Sequence, residues 1–224
     1  MVTLSRIYTR NGDAGKTRLS DMSLTTKTDP RVHAYGDVDE ANSLIGLALA
    51  TGGLPENVAA ALHEIQNELF DVGADLSNPL VAEPEWEPLR IVQSSVDRLE
   101  DWCDSFGKDL PTLTSFILPG GTPAAATLHL ARTVVRRAER AAWAAVEAYG
   151  TAEGVGDLPG GVNLLAIAYL NRLSDLLFLL ARAVNGGGET LWVPGKDREP
   201  TTAKGRRQRD RIAAQQAESP SVEG

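Results

Sequence analysis

Thr9-Arg10-Asn11-Gly12-Asp13-Ala14-Gly15-Lys16-Thr17 gathers glycines, hydroxyls and two cationic side chains into one short run. Glycine reaches positive φ and lets the backbone approach a ligand closely. Successive N–H groups can therefore point at one anion while Lys16 and the Thr9 and Thr17 hydroxyls donate beside them. That is chemistry suited to a polyphosphate. The run is not a Walker A loop, because that motif needs a glycine where Arg10 stands, and a strand-to-helix setting that the short Val2–Tyr8 run does not supply. Taken alone, the loop serves equally well as a surface turn.

A second group of chemical side chains lies far along the chain. Arg132, Arg136 and Glu139 are spaced i, i+4 and i+7. At about 100° per residue they fall within a helical sector of roughly 60°, while Arg137 points elsewhere. Two guanidiniums one turn apart suit phosphate oxygens, and Glu139 can orient one of them or accept from a ligand hydroxyl. An exposed helix laced with Arg–Glu pairs has the same pattern. Asn171 and Asp175, one turn apart, interrupt an almost wholly apolar segment from Leu164 to Leu180, so they require partners from neighbouring helices or from a ligand. Asp37, Asp39 and Glu40 read as an acidic first turn that complements a helix dipole.

Other chemistries are excluded by spacing. A bundle di-iron site needs Glu three residues before His, but Pro30, Ala60 and Ala126 precede His33, His63 and His129 by three. The Asp-x-His-x-x-Gly pattern of a cobalamin lower ligand fails because Arg31 occupies the Asp position ahead of His33 and Gly36. No local Ser-His-Asp or Cys-His signature is present. Cys103 is the sole cysteine, which rules out an intrachain disulfide and a cysteine-rich zinc site and fits a reducing cytoplasm. The net charge of −8 opposes a nucleic-acid-binding role for the chain as a whole, and no signal peptide or membrane span is expected.

These residues need a scaffold, and the 224-residue chain suits one domain with a helical core, being rich in Ala and Leu and only 5% aromatic. Apolar residues at three- and four-residue steps predict helices from Asp37 to Leu49, stopped by Gly52-Gly53, and from Val58 to Leu76, entered through Pro55. A third runs from Val92 to Phe106, a fourth from Pro123 to Tyr149 and a fifth from Val162 to Val184. The segment Leu110 to Thr122 reads as a buried loop or short strand. The expected fold is all-α: an N-terminal glycine-rich loop region (1–36), a five-helix bundle (37–190) and a basic, flexible, disordered tail (191–224).

Five ordered blocks carry a resemblance: Tyr8 to Asp13, Ala34 to Glu40, Phe116 to Gly121, Arg136 to Arg140 and Tyr169 to Asp175. From about Ile7 to Asn185 the chain closely resembles the PduO-type ATP:cob(I)alamin adenosyltransferases. The resemblance implies a five-helix bundle, a homotrimer with active sites between subunits, and transfer of the 5′-deoxyadenosyl group of ATP to cob(I)alamin with release of triphosphate. It implies that Thr9, Arg10, Asn11, Gly12, Asp13, Gly15, Lys16 and Thr17 wrap the triphosphate, with Lys27 a further phosphate donor. Glu139 and Asn171 would hold ATP, and Arg136 would neutralise phosphate charge. Arg132 would reach Asp39 of the neighbouring subunit, and Phe116 would lie beneath the corrin and favour four-coordinate cobalt(II). Mg²⁺ is expected mainly on the ATP phosphates, with no protein ligand assigned. Arg10 and Asn11 stand where Lys and Thr are frequent in the family, but they keep donors. An alternative in a different class is a cobalamin carrier that delivers to a B12-dependent mutase with little turnover of its own.

Overall fold

The computed structural model describes residues 8, 10–155, 159–198 and 202–217. Contacts divide the chain into two units, residues 1–112 with 119–190, and residues 113–118 with 191–224.

The first unit opens with an antiparallel hairpin, β1 (Lys16–Arg18) and β2 (Leu24–Thr26), in which Thr17 pairs with Thr25. Helix α1 (Pro30–Thr51) follows, and it begins seven residues before the expected Asp37. Asp29 is the reason: its carboxylate accepts the Arg31 N–H at 2.8 Å, and Pro30 needs no helical hydrogen-bond partner for its nitrogen at the first position. Asp37, Asp39 and Glu40 therefore lie well inside the helix and do not form its first turn. Asp37 and Glu40 instead pair with Arg137 of the fourth helix. Helix α2 (Glu56–Leu76) buries all six residues of its predicted stripe, Val58, Leu62, Ile65, Leu69, Val72 and Leu76.

Helices α3 (Gln93–Gly107), α4 (Pro123–Tyr149) and α5 (Leu164–Asn185) complete the bundle. Helix α1 packs on α2 and α4, α4 on α5, and α5 on α3. Buried alanines on α1 (Ala34, Ala41, Ala48) and α4 (Ala131, Ala138, Ala142, Ala145) keep side chains short where these helices meet, which favours close approach. Contrary to the sequence expectation, α5 is long and apolar enough to cross a membrane. Its hydrophobic surface is bundle core: Tyr169, Leu170, Leu173, Leu176, Leu177 and Leu180 are wholly buried. Asn171 and Asp175 occupy the exposed side of the helix, so they are not the buried polar island the sequence implied.

Two polar ties fasten the connections. Asp75, buried at the end of α2, accepts from the Arg90 guanidinium at 2.7 Å, the Ile91 N–H at 2.8 Å and the Asn163 amide at 2.7 Å. Arg31, also buried, donates to the carbonyls of Leu76, Gly160 and Gly161, and its guanidinium lies 4.7 Å from the Tyr149 ring centre. Gly160 is required at its position because a Cβ there would fall 1.7 Å from the Leu80 carbonyl oxygen.

The second unit joins the segment around Phe116 to the start of the tail. Ile117 and Leu191 form an antiparallel bridge, the Trp192 N–H donates to the Phe116 carbonyl at 2.7 Å, and Ser115 Oγ donates to the Trp192 carbonyl at 2.7 Å. The Phe116 and Trp192 rings meet edge to face at 6.1 Å. Phe116 is 78% exposed and Leu118 47%, and Ile117 bridges to Leu191, so of the two expectations for this segment the extended one fits and the buried loop does not.

The tail is not structureless either. A 3-10 turn at Gly195–Asp197 precedes a sixth helix, α6 (Ala203–Ala217). Thr202 begins it by accepting the Gly205 N–H on its hydroxyl and the Arg206 N–H on its carbonyl, both at 3.0 Å. The charge of this segment and its lack of an apolar face had pointed to disorder. Ala, Arg and Gln are nevertheless strong helix formers, and the Thr202 cap adds to them.

Candidate active site

The glycine-rich run folds as a tight loop at the base of the hairpin. Within it the Asp13 N–H donates to the Arg10 carbonyl at 3.3 Å and the Gly15 N–H to the Gly12 carbonyl at 3.2 Å. Arg10 and Gly15 both take positive φ, 63° and 74°. That conformation is free for Gly15 but costs Arg10 on the order of 1 kcal/mol, a strained residue at the mouth of the loop. Lys27 closes the loop: its N–H donates to the Gly15 carbonyl at 2.9 Å, and its Nζ lies 3.0 Å from where a Gly12 Cβ would be. Lys27, which the resemblance named as a further phosphate donor, thus lies beside the loop. Arg10, Asn11, Asp13, Gly15, Lys16 and Lys27 are all exposed, and Thr9 lies outside the described residues.

Thr17 is half-buried between exposed neighbours. It sits on the inner face of the hairpin, and burial together with the nearby Asp29 charge pushes the Tyr35 phenol of α1 up. Lys16 and Arg18 hold the outer, exposed face.

The second cluster is built by α4 and α5. The Asn171 amide donates to Glu139 Oε1 at 3.2 Å, joining two residues the sequence had placed on separate helices. Arg132 and Arg136 line one cavity of about 590 Å³, with Glu100, Asp104, Arg172 and Asp175 around it. Arg172 is neutralised by Glu100 at 3.0 Å. Among the described residues no carboxylate pairs with Arg132 or Arg136, and the Arg132 Nε is buried without a partner. Burial and the adjacent Arg136 charge hold Arg132 below the usual arginine range. Arg137 does point elsewhere, to Asp37 and Glu40 of α1. Burial also lowers His129, with Arg132 contributing, and pushes the Cys103 thiol up to about 11, which keeps it protonated and unreactive near neutral pH.

Asp39 lies elsewhere in the chain. It lines a separate cavity of about 620 Å³ between α1, α2 and the hairpin, with Arg18, Tyr35, Asn42 and Phe70. Within one chain, then, Arg132 and Asp39 belong to different walls. Asp29, which supports the hairpin, was missed in the sequence. Asp29-Pro30 is a helix-start signature and could have flagged it.

A family model described as cobalamin adenosyltransferase matches residues 7–184. A corrinoid adenosyltransferase of Mycobacterium tuberculosis is 58% identical over 197 residues, covering 88% of this chain and 97% of that protein. A corrinoid adenosyltransferase of Bacillus subtilis is 43% identical over 183 residues, covering 80% of this chain and 86% of that one. Among solved structures, a variant PduO-type ATP:corrinoid adenosyltransferase from Lactobacillus reuteri, complexed with cobalamin and ATP, superposes with a TM-score of 0.74 at 36% identity. It covers 84% of this chain and 100% of that one.

Proposed function

The chain belongs to the cobalamin adenosyltransferase family, and from that premise we propose a division of labour among its residues. The enzyme transfers the 5′-deoxyadenosyl group of ATP to cob(I)alamin, giving adenosylcobalamin and inorganic triphosphate. A cobalt–carbon bond forms at C5′ as the C5′–O bond breaks, and the bonding electron pair leaves with the triphosphate. The nucleophile is the reduced corrinoid, so the protein's task is to align C5′, exclude water and stabilise a departing polyanion.

The observation that carries this assignment is the pair Arg132 and Arg136, adjacent cations on one cavity wall with no carboxylate partner among the described residues. Two such charges repel unless an anion joins them. In this reading Arg136 and Lys27 neutralise the triphosphate, with Lys16 and the Gly12 and Ala14 amides beside them. Glu139, held by Asn171, accepts from the nucleoside. Phe116 stands beneath the corrin and keeps an axial base away from cobalt.

Arg132 and Asp39 line different cavities of one chain, which supports a pairing between subunits. We assign the active form to a homotrimer with sites between neighbours. Magnesium enters as MgATP, carried by the phosphate oxygens. A single cysteine fits a cytoplasmic setting, and a B12-dependent mutase is the recipient we assign to the product. The decisive assay combines reduced cobalamin with MgATP and follows the cobalt–carbon absorbance together with triphosphate. Formation of both is expected; corrinoid binding with neither product would turn the assignment to a carrier.

A further inference from the structure

One carboxylate holds the hairpin to the bundle. Asp29 is 8% exposed and closes three elements at once. It caps α1 through the Arg31 N–H at 2.8 Å, accepts the Thr25 hydroxyl of β2 at 2.5 Å, and accepts the Tyr149 phenol from the end of α4 at 2.6 Å. Tyr149 in turn lies against the buried Arg31 guanidinium, which is fixed by backbone carbonyls. The anchor therefore rests on rigid core on every side.

The cross-strand register makes this more than a cap. Thr25 lies directly opposite Thr17, and directly opposed residues share one face of a hairpin. Thr25 is fastened to Asp29 at the start of α1, and Thr17 is half-buried on the same face. That fastening holds the hairpin against α1 and leaves Lys16 on the exposed face. Lys27, two residues beyond Thr25 on the same strand end, is held in turn against Gly12.

We infer that Asp29, acting through Thr25, is a positioning residue for ATP: it sets the angle at which the glycine-rich loop and Lys27 are presented to the triphosphate. This rests on the loop being the phosphate grip proposed above. Neither Asp29 nor Thr25 touches substrate in this scheme, and each works through the backbone of β2.

Thr25→Val in the full-length protein removes the hydroxyl while keeping the side-chain shape, and Thr25→Ser restores the hydroxyl. Two quantities are read: hydrogen exchange at the Lys27 amide without nucleotide, and the separate KM values for ATP and cobalamin. Thr25→Val is expected to speed Lys27 exchange and raise the KM for ATP about tenfold, the scale of one hydrogen bond to a charged group, with the cobalamin KM unchanged. Thr25→Ser is expected to return both to the parent values. Asp29→Asn, which keeps a capping oxygen but cannot accept from both hydroxyls, is expected to behave like Thr25→Val. Unchanged Lys27 exchange in Thr25→Val would overturn the anchoring itself. Faster exchange with an unchanged KM for ATP would instead remove the loop from the phosphate grip, and the positioning role with it.

Discussion

The side-chain amide of Asn171 on α5 donates to Glu139 Oε1 on α4 across 3.2 Å, and this one bond joins two stretches of sequence 32 residues apart at the proposed ATP site. Asn171→Asp replaces that donor with a second carboxylate at the same distance, and two such groups cannot both ionise comfortably. ATP binding, measured by calorimetry, is expected to weaken by about tenfold at pH 8 and to recover toward pH 5 as the pair shares a proton. The parent protein is expected to lack this recovery.

Arg136 is exposed and unpaired with any carboxylate among the described residues, so its removal leaves no stranded partner in the fold. Arg136→Ala is expected to lower kcat/KM by about a hundredfold or more, as loss of a positioned phosphate donor does, with the melting temperature within about 2 °C of the parent. Turnover near the parent level would take Arg136 out of the site.

Arg31 is the opposite case. It is 1% exposed and serves the carbonyls of Leu76, Gly160 and Gly161, so Arg31→Met strands several buried acceptors. A loss of about 3 kcal/mol in unfolding free energy is expected from urea titration. A stable Arg31→Met protein would show that those carbonyls find other donors.

Burial pushes the Asp29 carboxyl up, but the hydrogen bonds from Thr25, Tyr149 and the Arg31 amide, with the Arg31 charge, outweigh it and hold Asp29 below its ordinary value of 3.8. A native-state value below the unfolded one stabilises the fold above pH 3.8, and that contribution disappears as pH falls through the native value. The difference in urea midpoint between the parent and Asp29→Asn is therefore expected to stay flat from pH 8 to about pH 4 and to shrink below it. A difference that shrinks on going from pH 5 to pH 8 would contradict the assignment.

Phe116, at 78% exposure, contributes little to the folded state. Phe116→Ala is expected to leave the melting temperature unchanged while impairing formation of four-coordinate cobalt(II), followed by electron paramagnetic resonance with MgATP present. An unchanged cobalt spectrum would remove Phe116 from that role.

Long amphipathic stretches were legible in the sequence because one periodicity governs burial over many turns; all six stripe residues of α2 are buried. The start of α1 was not, because its first turns carry Arg31 and His33 and the stripe becomes visible only from Val38. The hairpin was missed for a related reason, since three-residue strands are too short to show an alternation. At the site, Arg132, Arg136 and Glu139 could be grouped by helical spacing. The bonds that fix the hairpin, from Thr25 and Tyr149 to Asp29, form between side chains and leave no periodic pattern in the sequence.

The crossing of Gly160 over Leu80 bears on how variants of this protein are to be interpreted. A substitution at Gly160 and one at Arg136 would score alike in a screen for lost activity, though the first acts because two main chains can no longer pass and the second because an anion is no longer met. Cellular abundance is expected to separate them: a Gly160 variant should be lost from the soluble fraction, and an Arg136 variant should accumulate as folded, inactive protein. Inactivity at Gly160 therefore reports on biogenesis and carries no information about adenosyl transfer.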